Sequence, residues 1–143
     1  MSAPVPSTAR RFEQQVAVVT GAGGGMGSAI AQRFAAEGAH VVVCDVADSA
    51  AAATAESIAA SGGVASVLAF DLTDPTACAG AIERVVAERG RVDVLANNAG
   101  VNRRGDLLSL TDADWSLTFA VNVDAIFHLC RWPTARSRAA CWR

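Results

Sequence analysis

Residues 16–27 decide the fold, and their sequence is VAVVTGAGGGMG. The first four are apolar and mostly β-branched, as in a strand that is buried on both faces. A glycine-rich turn follows, and apolar residues then recur at helical spacing from Met26. Glycine is needed in such a turn because the backbone takes unusual dihedral angles and because the helix must pack closely on the strand. Free N–H groups at the helix N-terminus favour an anion, so the stretch predicts a phosphate-binding turn.

The rest of the chain repeats this alternation of strand and helix. Short apolar runs of strand length lie at Val16–Val19, Val41–Val43, Val64–Phe70 and Val92–Ala96. Helices are predicted over Met26–Glu37, Ser49–Ala60, Pro75–Arg89 with Asp74 as its cap, and Thr111–Cys130. Alternating elements of this kind predict an α/β fold with a parallel sheet. We therefore expect one domain over residues 15–130, between a flexible start at 1–14 and an unstructured tail at 131–143.

Asp45 ends the second predicted strand, where the dinucleotide-binding fingerprint has an acidic residue. A carboxylate there accepts hydrogen bonds from the adenosine ribose hydroxyls and repels a 2′-phosphate, which favours NAD over NADP. Two plainer alternatives stay open: the glycine turn is purely structural, or Asp45 only begins the loop before the next helix. The turn does not end in Gly-Lys-Ser/Thr, which disfavours a P-loop nucleotidase.

Composition disfavours several other function classes. The 143 residues are 52% hydrophobic, which suffices for one core, and the formal net charge is −2 with the arginines spread along the chain. No basic face is predicted for nucleic acid or anionic lipid. Cys44, Cys78, Cys130 and Cys141 lack metal-ligand spacing, so we expect no metal and a reducing cytoplasm. Neither a signal peptide nor a membrane span is predicted.

Further motifs carry a resemblance to a known family. The spacing Thr-Gly-x-x-x-Gly-x-Gly at Thr20–Gly27 and the sequence Asn-Asn-Ala-Gly at Asn97–Gly100 are similar to motifs of the short-chain dehydrogenase/reductase family. Asp71-Leu72, Asp93 and the segment Phe119–Val123 also resemble that family, and the similarity covers residues 11–129. The resemblance implies a Rossmann-like, doubly wound parallel sheet, incomplete here, with four strands in the order 3-2-1-4.

The same resemblance assigns site residues by position. The residues implied to bind the pyrophosphate are Gly21, Gly23, Gly24, Gly25, Met26 and Gly27. Those implied to lie at the adenosine are Asp71, Leu72, Asn98, Ala99 and Gly100. Asn122 matches the family's catalytic helix asparagine, whose carbonyl holds a water in the proton relay. Two plainer explanations stay open: Asn and Gly suit any tight turn, and a hydrogen bond to a neighbouring loop would also satisfy Asn122.

The implied reaction is hydride transfer between NAD and a secondary alcohol or ketone, with a tyrosine as acid/base, a lysine that lowers its pKa and a serine that orients the substrate. This sequence contains no tyrosine, and all 12 of its Lys and Arg residues are arginine. A phenol needs an adjacent cation to act near neutral pH, so we expect the chain alone to be inactive. His40 and His128 are expected to be structural. Arg103 and Arg104 either meet an anionic substrate or form a solvated pair.

The end of the chain departs from the family pattern. After Cys130 the helical register is lost in a run with one proline, four arginines and two tryptophans. Such a run is typical of an out-of-frame reading of GC-rich DNA; a genuine short product with a basic tail is the alternative. In the family's strand order the fourth strand would be an uncovered edge, and the helix from Thr111 would expose Trp115, Phe119 and Ile126. We therefore expect homo-oligomers or poor solubility.

Two other function classes stand beside the oxidoreductase, whose full-length form is expected to act on a small alcohol or ketone. A non-catalytic nucleotide-binding or subunit-interaction fragment would have the same cleft without turnover. An S-adenosylmethionine methyltransferase has a similar first turn, but the Asn97–Gly100 motif disfavours it.

Overall fold

Strands and helices alternate along the chain in the order that the apolar pattern predicts. The computed structural model describes residues 10–131 and 140–142. The strands are β1 (Val16–Thr20), β2 (His40–Asp45), β3 (Val64–Ala69), β4 (Val94–Ala96) and β5 (Ala140–Trp142). The helices are α1 (Gly25–Ala36), α2 (Asp48–Ala60), α3 (Pro75–Arg89), α4 (Asp112–Phe119) and α5 (Ala125–Cys130), and a π-helical turn (Ala120–Asp124) joins the last two. None of these described helices is long and apolar enough to cross a membrane.

The strands pair in parallel in the order β3-β2-β1-β4-β5. β1 is central, and all five of its residues are buried. Because side chains alternate across a strand, Val16 and Val18 pack into the core beside α3 and α5, whereas Ala17 and Val19 pack beside α1 and α2. Helices therefore cover both faces of the sheet, which is the doubly wound arrangement that the resemblance implies.

The predicted strand order 3-2-1-4 is confirmed, but the expected uncovered edge at β4 is wrong. β5 pairs with β4, with Val94 opposite Ala140 and Ala96 opposite Trp142. The physical reason is that the unpaired N–H and C=O groups of an edge strand bond to an extended segment that reaches them. The tail predicted to be unstructured thus contains a strand at residues 140–142, and residues 132–139 and 143 lie outside the described residues.

β4 begins at Val94, two residues later than the apolar pattern predicts. At Asp93 the side chain, together with the backbone N–H, makes the hydrogen bonds to β1. The Asp93 Oδ2 accepts a hydrogen bond from the Val16 N–H at 2.8 Å, and the Asp93 N–H donates to the Val16 carbonyl at 2.9 Å. Arg91 forms an ion pair with the same carboxylate. The Asp93 side chain, itself buried, therefore joins the starts of the two central strands.

The first described residues pack against the end of α1, where the sequence predicts a flexible start. The ring of Phe12 meets the ring of Phe34 edge to face, with centroids 4.9 Å apart. The Phe12 N–H donates to the Glu37 carbonyl at 3.0 Å. Residues 1–9 of the predicted flexible start lie outside the described residues.

Glu37, directly after α1, is a fully buried carboxylate. Its Oε1 accepts hydrogen bonds of 2.6 Å from both Arg11 and Arg33, and Arg11 also bonds to Oε2. The hydrogen bond from Arg11 is the largest influence on this group, and the two arginines together lower the pKa of Glu37 from 4.5 to about 2 against the opposing effect of burial. The buried charge therefore joins the first described residues to α1.

This lowered pKa predicts a specific loss of stability in acid. A carboxyl group whose pKa is lower in the folded state stabilises the fold fully above pH 4.5 and loses that contribution as the pH falls to about 2. Glu37→Gln is expected to be less stable near neutral pH and to show a smaller fall in unfolding free energy between these two pH values. Urea unfolding followed by circular dichroism at several pH values measures both effects.

The matched control is Glu56→Gln on the exposed side of α2, which is expected to leave the unfolding free energy near neutral pH unchanged. Parallel pH curves for the parent chain and Glu37→Gln would show that the buried charge does not link stability to pH.

Candidate functional site

A cleft of about 680 Å³ opens at the carboxyl ends of the parallel strands. Ligands of doubly wound sheets bind at this edge, and the volume lies in the range of small-molecule sites. The structure brings most of the predicted site residues onto its wall: Gly21, Gly24, Met26, Gly27, Asp45, Asp71, Leu72, Asn98, Ala99 and Gly100. Gly23, Gly25 and Asn122 are not part of the wall. The wall also contains residues that the sequence analysis did not assign, among them Thr20, Val46, Val101, Leu117 and Val121.

The glycine loop between β1 and α1 needs glycine for two physical reasons. Gly21 and Gly25 have φ angles of +62° and +52°, a conformation that other residues rarely adopt. A Cβ at Gly27 would overlap the Gly21 carbonyl oxygen and lie 2.5 Å from the Asn98 amide nitrogen. The first turn of α1 therefore packs on the end of β1 at a distance that only glycine permits.

Thr20 and Asn98 hold this loop against the end of β4. The Thr20 hydroxyl accepts hydrogen bonds from the N–H groups of Asn98 at 3.1 Å and Ala99 at 3.2 Å. In return, the Asn98 side-chain amide donates to the carbonyls of Thr20 at 3.0 Å and Gly21 at 3.2 Å. The Asn-Asn-Ala-Gly turn thus has a structural task at the cleft. Thr20 begins the family motif but was not assigned to the site, because the sequence does not show that its hydroxyl accepts from residues 78 and 79 positions away.

Asp45 lies at the end of β2, half-buried, beside the glycine loop. Its Oδ2 accepts a hydrogen bond from the Gly23 N–H at 2.9 Å, and its Oδ1 accepts one from the Ala47 N–H at 3.0 Å. Gly23 therefore faces the Asp45 carboxylate and is absent from the cleft wall for that reason. The carboxylate itself remains on the wall.

Asp71 and Leu72 follow β3 and form another part of the wall. The Asp71 Oδ1 accepts hydrogen bonds of 2.8 Å from both the N–H and the hydroxyl of Thr73. The backbone bond from Thr73 is the larger of the two influences that lower the pKa of Asp71, so this exposed carboxylate stays ionised near neutral pH. Leu72 is half-buried and packs against the core, which leaves an apolar surface beside the acid.

The helix predicted over Thr111–Cys130 is present without a gap from Asp112 to Cys130, but Asn122 lies in a π-helical turn within it, which the sequence did not predict. Its Oδ1 accepts a hydrogen bond from the Val101 N–H at 2.9 Å, and its Nδ2 donates to the Val101 carbonyl at 2.9 Å. The wider π-helical turn occurs where the Asn122 side chain bonds to both the N–H and the carbonyl of Val101, which precedes the helix. Val101 and Val121 lie on the cleft wall, so Asn122 contacts the site through Val101.

The histidines and arginines named from the sequence are not part of the cleft wall. His40 begins β2, and its Nε2 lies 3.1 Å from the Ser66 hydroxyl; burial first, and then the charge of Arg89, lower its pKa. The His128 ring contacts the Phe127 ring. Arg103 lies 3.8 Å from Asp114, and Arg104 is exposed. Within residues 10–131 and 140–142, no group of His, Cys, Asp and Glu is arranged to hold a metal ion.

The close contact at Gly27 gives a test of the site geometry. Gly27→Ala is expected to lower the unfolding free energy by about 2–3 kcal/mol, because the new methyl group overlaps backbone at the end of β1. Gly80→Ala in α3 is the matched control: its Cβ would meet nothing within 4 Å, and a gain of about 0.5–1 kcal/mol is expected from helix propensity. Urea unfolding measures the free energy change of both variants. Equal changes at Gly27 and Gly80 would contradict the close packing of Gly27 on the end of β1.

Comparisons with known proteins agree with this geometry. Residues 15–135 match the short chain dehydrogenase family. Meso-2,3-butanediol dehydrogenase of Serratia marcescens is 41% identical over 116 residues, which are 81% of this chain and 45% of that protein. The 3-oxoacyl-[acyl-carrier-protein] reductase FabG of Escherichia coli K12 is 36% identical over 120 residues, 84% of this chain and 48% of that protein. The chain thus spans about half the length of the curated relatives it matches.

Solved structures give the same result. A metagenomic short-chain oxidoreductase in complex with NADP aligns with a TM-score of 0.81 at 41% identity, over 84% of this chain and 55% of that one. A short chain dehydrogenase from Burkholderia cenocepacia J2315, also in complex with NADP, aligns with a TM-score of 0.81 at 38% identity, over 85% of this chain and 50% of that one. The fold, the glycine loop and these alignments together show that the chain belongs to the short-chain dehydrogenase/reductase family.

Proposed function

We propose that this chain forms the dinucleotide-binding half of an NAD-dependent oxidoreductase that transfers hydride between a secondary alcohol or ketone and the nicotinamide. The observation that carries the proposal is the cleft at the carboxyl ends of β1, β2, β3 and β4, into which the glycine loop and Asp45 both project. A small alcohol or ketone is the proposed substrate class, and the similarity to meso-2,3-butanediol dehydrogenase supports it. We place the protein in the cytoplasm.

The residues present fit a dinucleotide. Gly24 precedes α1 without a side-chain cap, and the first turn of α1 contains no acidic residue. The N–H groups of that turn are therefore available to a pyrophosphate, and the helix dipole favours its charge. The pyrophosphate contacts are assigned to the loop residues on the cleft wall, Gly21, Gly24, Met26 and Gly27, and Gly23 and Gly25 are assigned to shaping the same loop. The adenosine contacts are assigned to Asp71, Leu72, Asn98, Ala99 and Gly100.

Charge around the cleft supports NAD as the cofactor. Asp45 and Asp71 are both carboxylates on the wall, and among the described wall residues none is basic. A 2′-phosphate beside Asp45 would meet a like charge with no cation to offset it, whereas ribose hydroxyls can donate to the carboxylate oxygens. Two of the aligned proteins were solved with NADP. For the present chain, the carboxylate of Asp45 supports NAD.

The cofactor assignment predicts a preference that calorimetry can measure. NADH is expected to bind at least about tenfold more tightly than NADPH, a difference of about 1.4 kcal/mol. Asp45→Asn is expected to reduce this ratio, because the amide no longer repels the 2′-phosphate. Asp48→Asn removes an equal charge from an exposed site three residues away and is expected to leave the ratio unchanged. Equal or tighter binding of NADPH by the parent chain would exclude the assignment.

Chemistry at the substrate carbon is not expected from these 143 residues alone. The bound dinucleotide would supply or accept the hydride. The family pattern supplies proton transfer through a tyrosine beside a lysine, and this sequence has neither. Asn122, the candidate for the proton relay, would act here by fixing the backbone of Val101 with two hydrogen bonds. We therefore propose that the chain binds NAD without oxidising alcohols.

A second candidate is a non-catalytic subunit-interaction fragment, and an exposed apolar surface favours it. Trp115 and Phe119 on α4 stack with their ring centroids 4.5 Å apart. Their exposed fractions are 65% and 41%, as the sequence predicts, whereas Ile126 is half-buried. We propose a homo-oligomer that covers this face. Both candidates are expected to bind a dinucleotide without turnover, so the oligomeric state tests this one: a multimer in sizing chromatography would favour it, and a monomer would exclude it.

A further inference from the structure

The Asp45 carboxylate already makes two hydrogen bonds within the protein. Oδ2 accepts from the Gly23 N–H at 2.9 Å, across 22 residues of sequence, and Oδ1 accepts from the Ala47 N–H at 3.0 Å. A carboxylate has about four acceptor positions. Two positions are therefore left for the ribose hydroxyls of a dinucleotide, while the other two hold the glycine loop and the start of α2.

Gly23 contacts both β2 and α2, and the preceding residue, Ala22, donates its N–H to the Cys44 carbonyl of β2 at 2.9 Å. A Cβ at this position would lie 2.8 Å from the Asp45 Oδ2 and 2.8 Å from the Ala50 Cβ. Gly23 does not have the positive φ of Gly21 and Gly25, so space and not backbone conformation excludes a side chain there. The next residue, Gly24, differs: its Cβ would meet nothing within 4 Å.

These two contacts make the loop and the acid depend on each other. The acid can bond to the loop because residue 23 has no side chain, and residue 23 has no room for one because the acid and Ala50 lie there. A bond from an N–H group to a charged oxygen is stronger than one to a neutral acceptor. The carboxylate therefore adds a strong contact at Gly23 to the bonds that Ala22 makes with the Cys44 carbonyl and that Asn98 makes with the Gly21 carbonyl.

We propose that Asp45 is a positioning residue for the glycine loop, and that Gly23 and Asp45 select the dinucleotide as one unit. The proposal rests on the proposed function and deepens it. Asp45 acts on binding in two ways: directly, on the ribose hydroxyls, and indirectly, by holding the loop amides where a pyrophosphate meets them. Removal of the carboxylate therefore lowers the affinity even for a dinucleotide that has neither ribose hydroxyls nor a 2′-phosphate beside Asp45, in addition to the change in the ratio between NADH and NADPH.

The indirect effect is tested first in the ligand-free full chain, by amide hydrogen exchange of Gly23. In Asp45→Ala the Gly23 N–H loses its acceptor, and its exchange is expected to be about tenfold faster than in the parent chain. Asp45→Asn keeps one acceptor oxygen and is expected to fall between the two. Asp48→Ala, in the exposed first turn of α2, is the matched control and is expected to leave Gly23 unchanged. Equal Gly23 exchange in the parent chain, Asp45→Asn and Asp45→Ala overturns the proposal.

The second measurement separates the indirect effect from the ribose contact. The probe is an NADH analogue whose adenosine ribose lacks both hydroxyls, bound to the parent chain and to Asp45→Asn in calorimetry. If Asp45 acted only on the hydroxyls, the two proteins would bind the analogue equally, and the proposal would be wrong. A loss of about fivefold in affinity for the analogue is expected instead.

Failure of the proposed function has a different signature. If neither NADH nor the analogue binds the parent chain, the dinucleotide assignment is wrong. The proposal that Gly23 and Asp45 select the dinucleotide is then wrong as well. The exchange of Gly23 then still decides whether Asp45 positions the loop.

Discussion

The central strand β1 is buried on both faces, and this burial sets the position of the elements around it. A strand with no solvent-exposed face needs a layer of helices on each side. Its alternating side chains pack into the two hydrophobic cores on either side of the sheet. Parallel strands joined by such helices bring all their carboxyl ends to one edge. The cleft, the glycine loop and the acidic residues at the ends of β2 and β3 lie at that edge for this reason.

At the cleft, backbone is held by side chains that come from distant parts of the chain. Thr20 and Asn98 bond across the ends of β1 and β4, Asp45 bonds to the loop from β2, and Asn122 bonds to Val101 from the π-helical turn. Loops leave backbone groups without the regular partners of helices and strands, and polar side chains satisfy those groups here. A residue that a motif assigns to a ligand is therefore, in this protein, also part of the scaffold.

Much of the fold could be predicted because it depends on local patterns. The strand order, the helix that Asp74 caps and Pro75 begins, and the stop of that helix at Gly90 all follow from short-range rules and from the family resemblance. Most of the assigned cofactor residues also lie on one cleft. The start of β4, the π-helical turn and the pairing of β5 could not be predicted, since each depends on a partner far away in the sequence. The burial of Glu37 could not be predicted either, because its charge is paired with Arg11, 26 residues away, as well as with the nearby Arg33.

The sequence by itself determined the α/β class, the position of the glycine loop and the absence of a tyrosine or lysine, because composition and periodicity are local properties. Tertiary structure alone decided which polar groups meet. The acid that ends β2 lies against the amide of Gly23, Asn122 bonds to the backbone of Val101, and the first turn of α1 lies against the carbonyl of Gly21. The physical reason is that hydrogen bonds and close contacts depend on distance in space, and distance in space is set only when the sheet and both helical layers pack together.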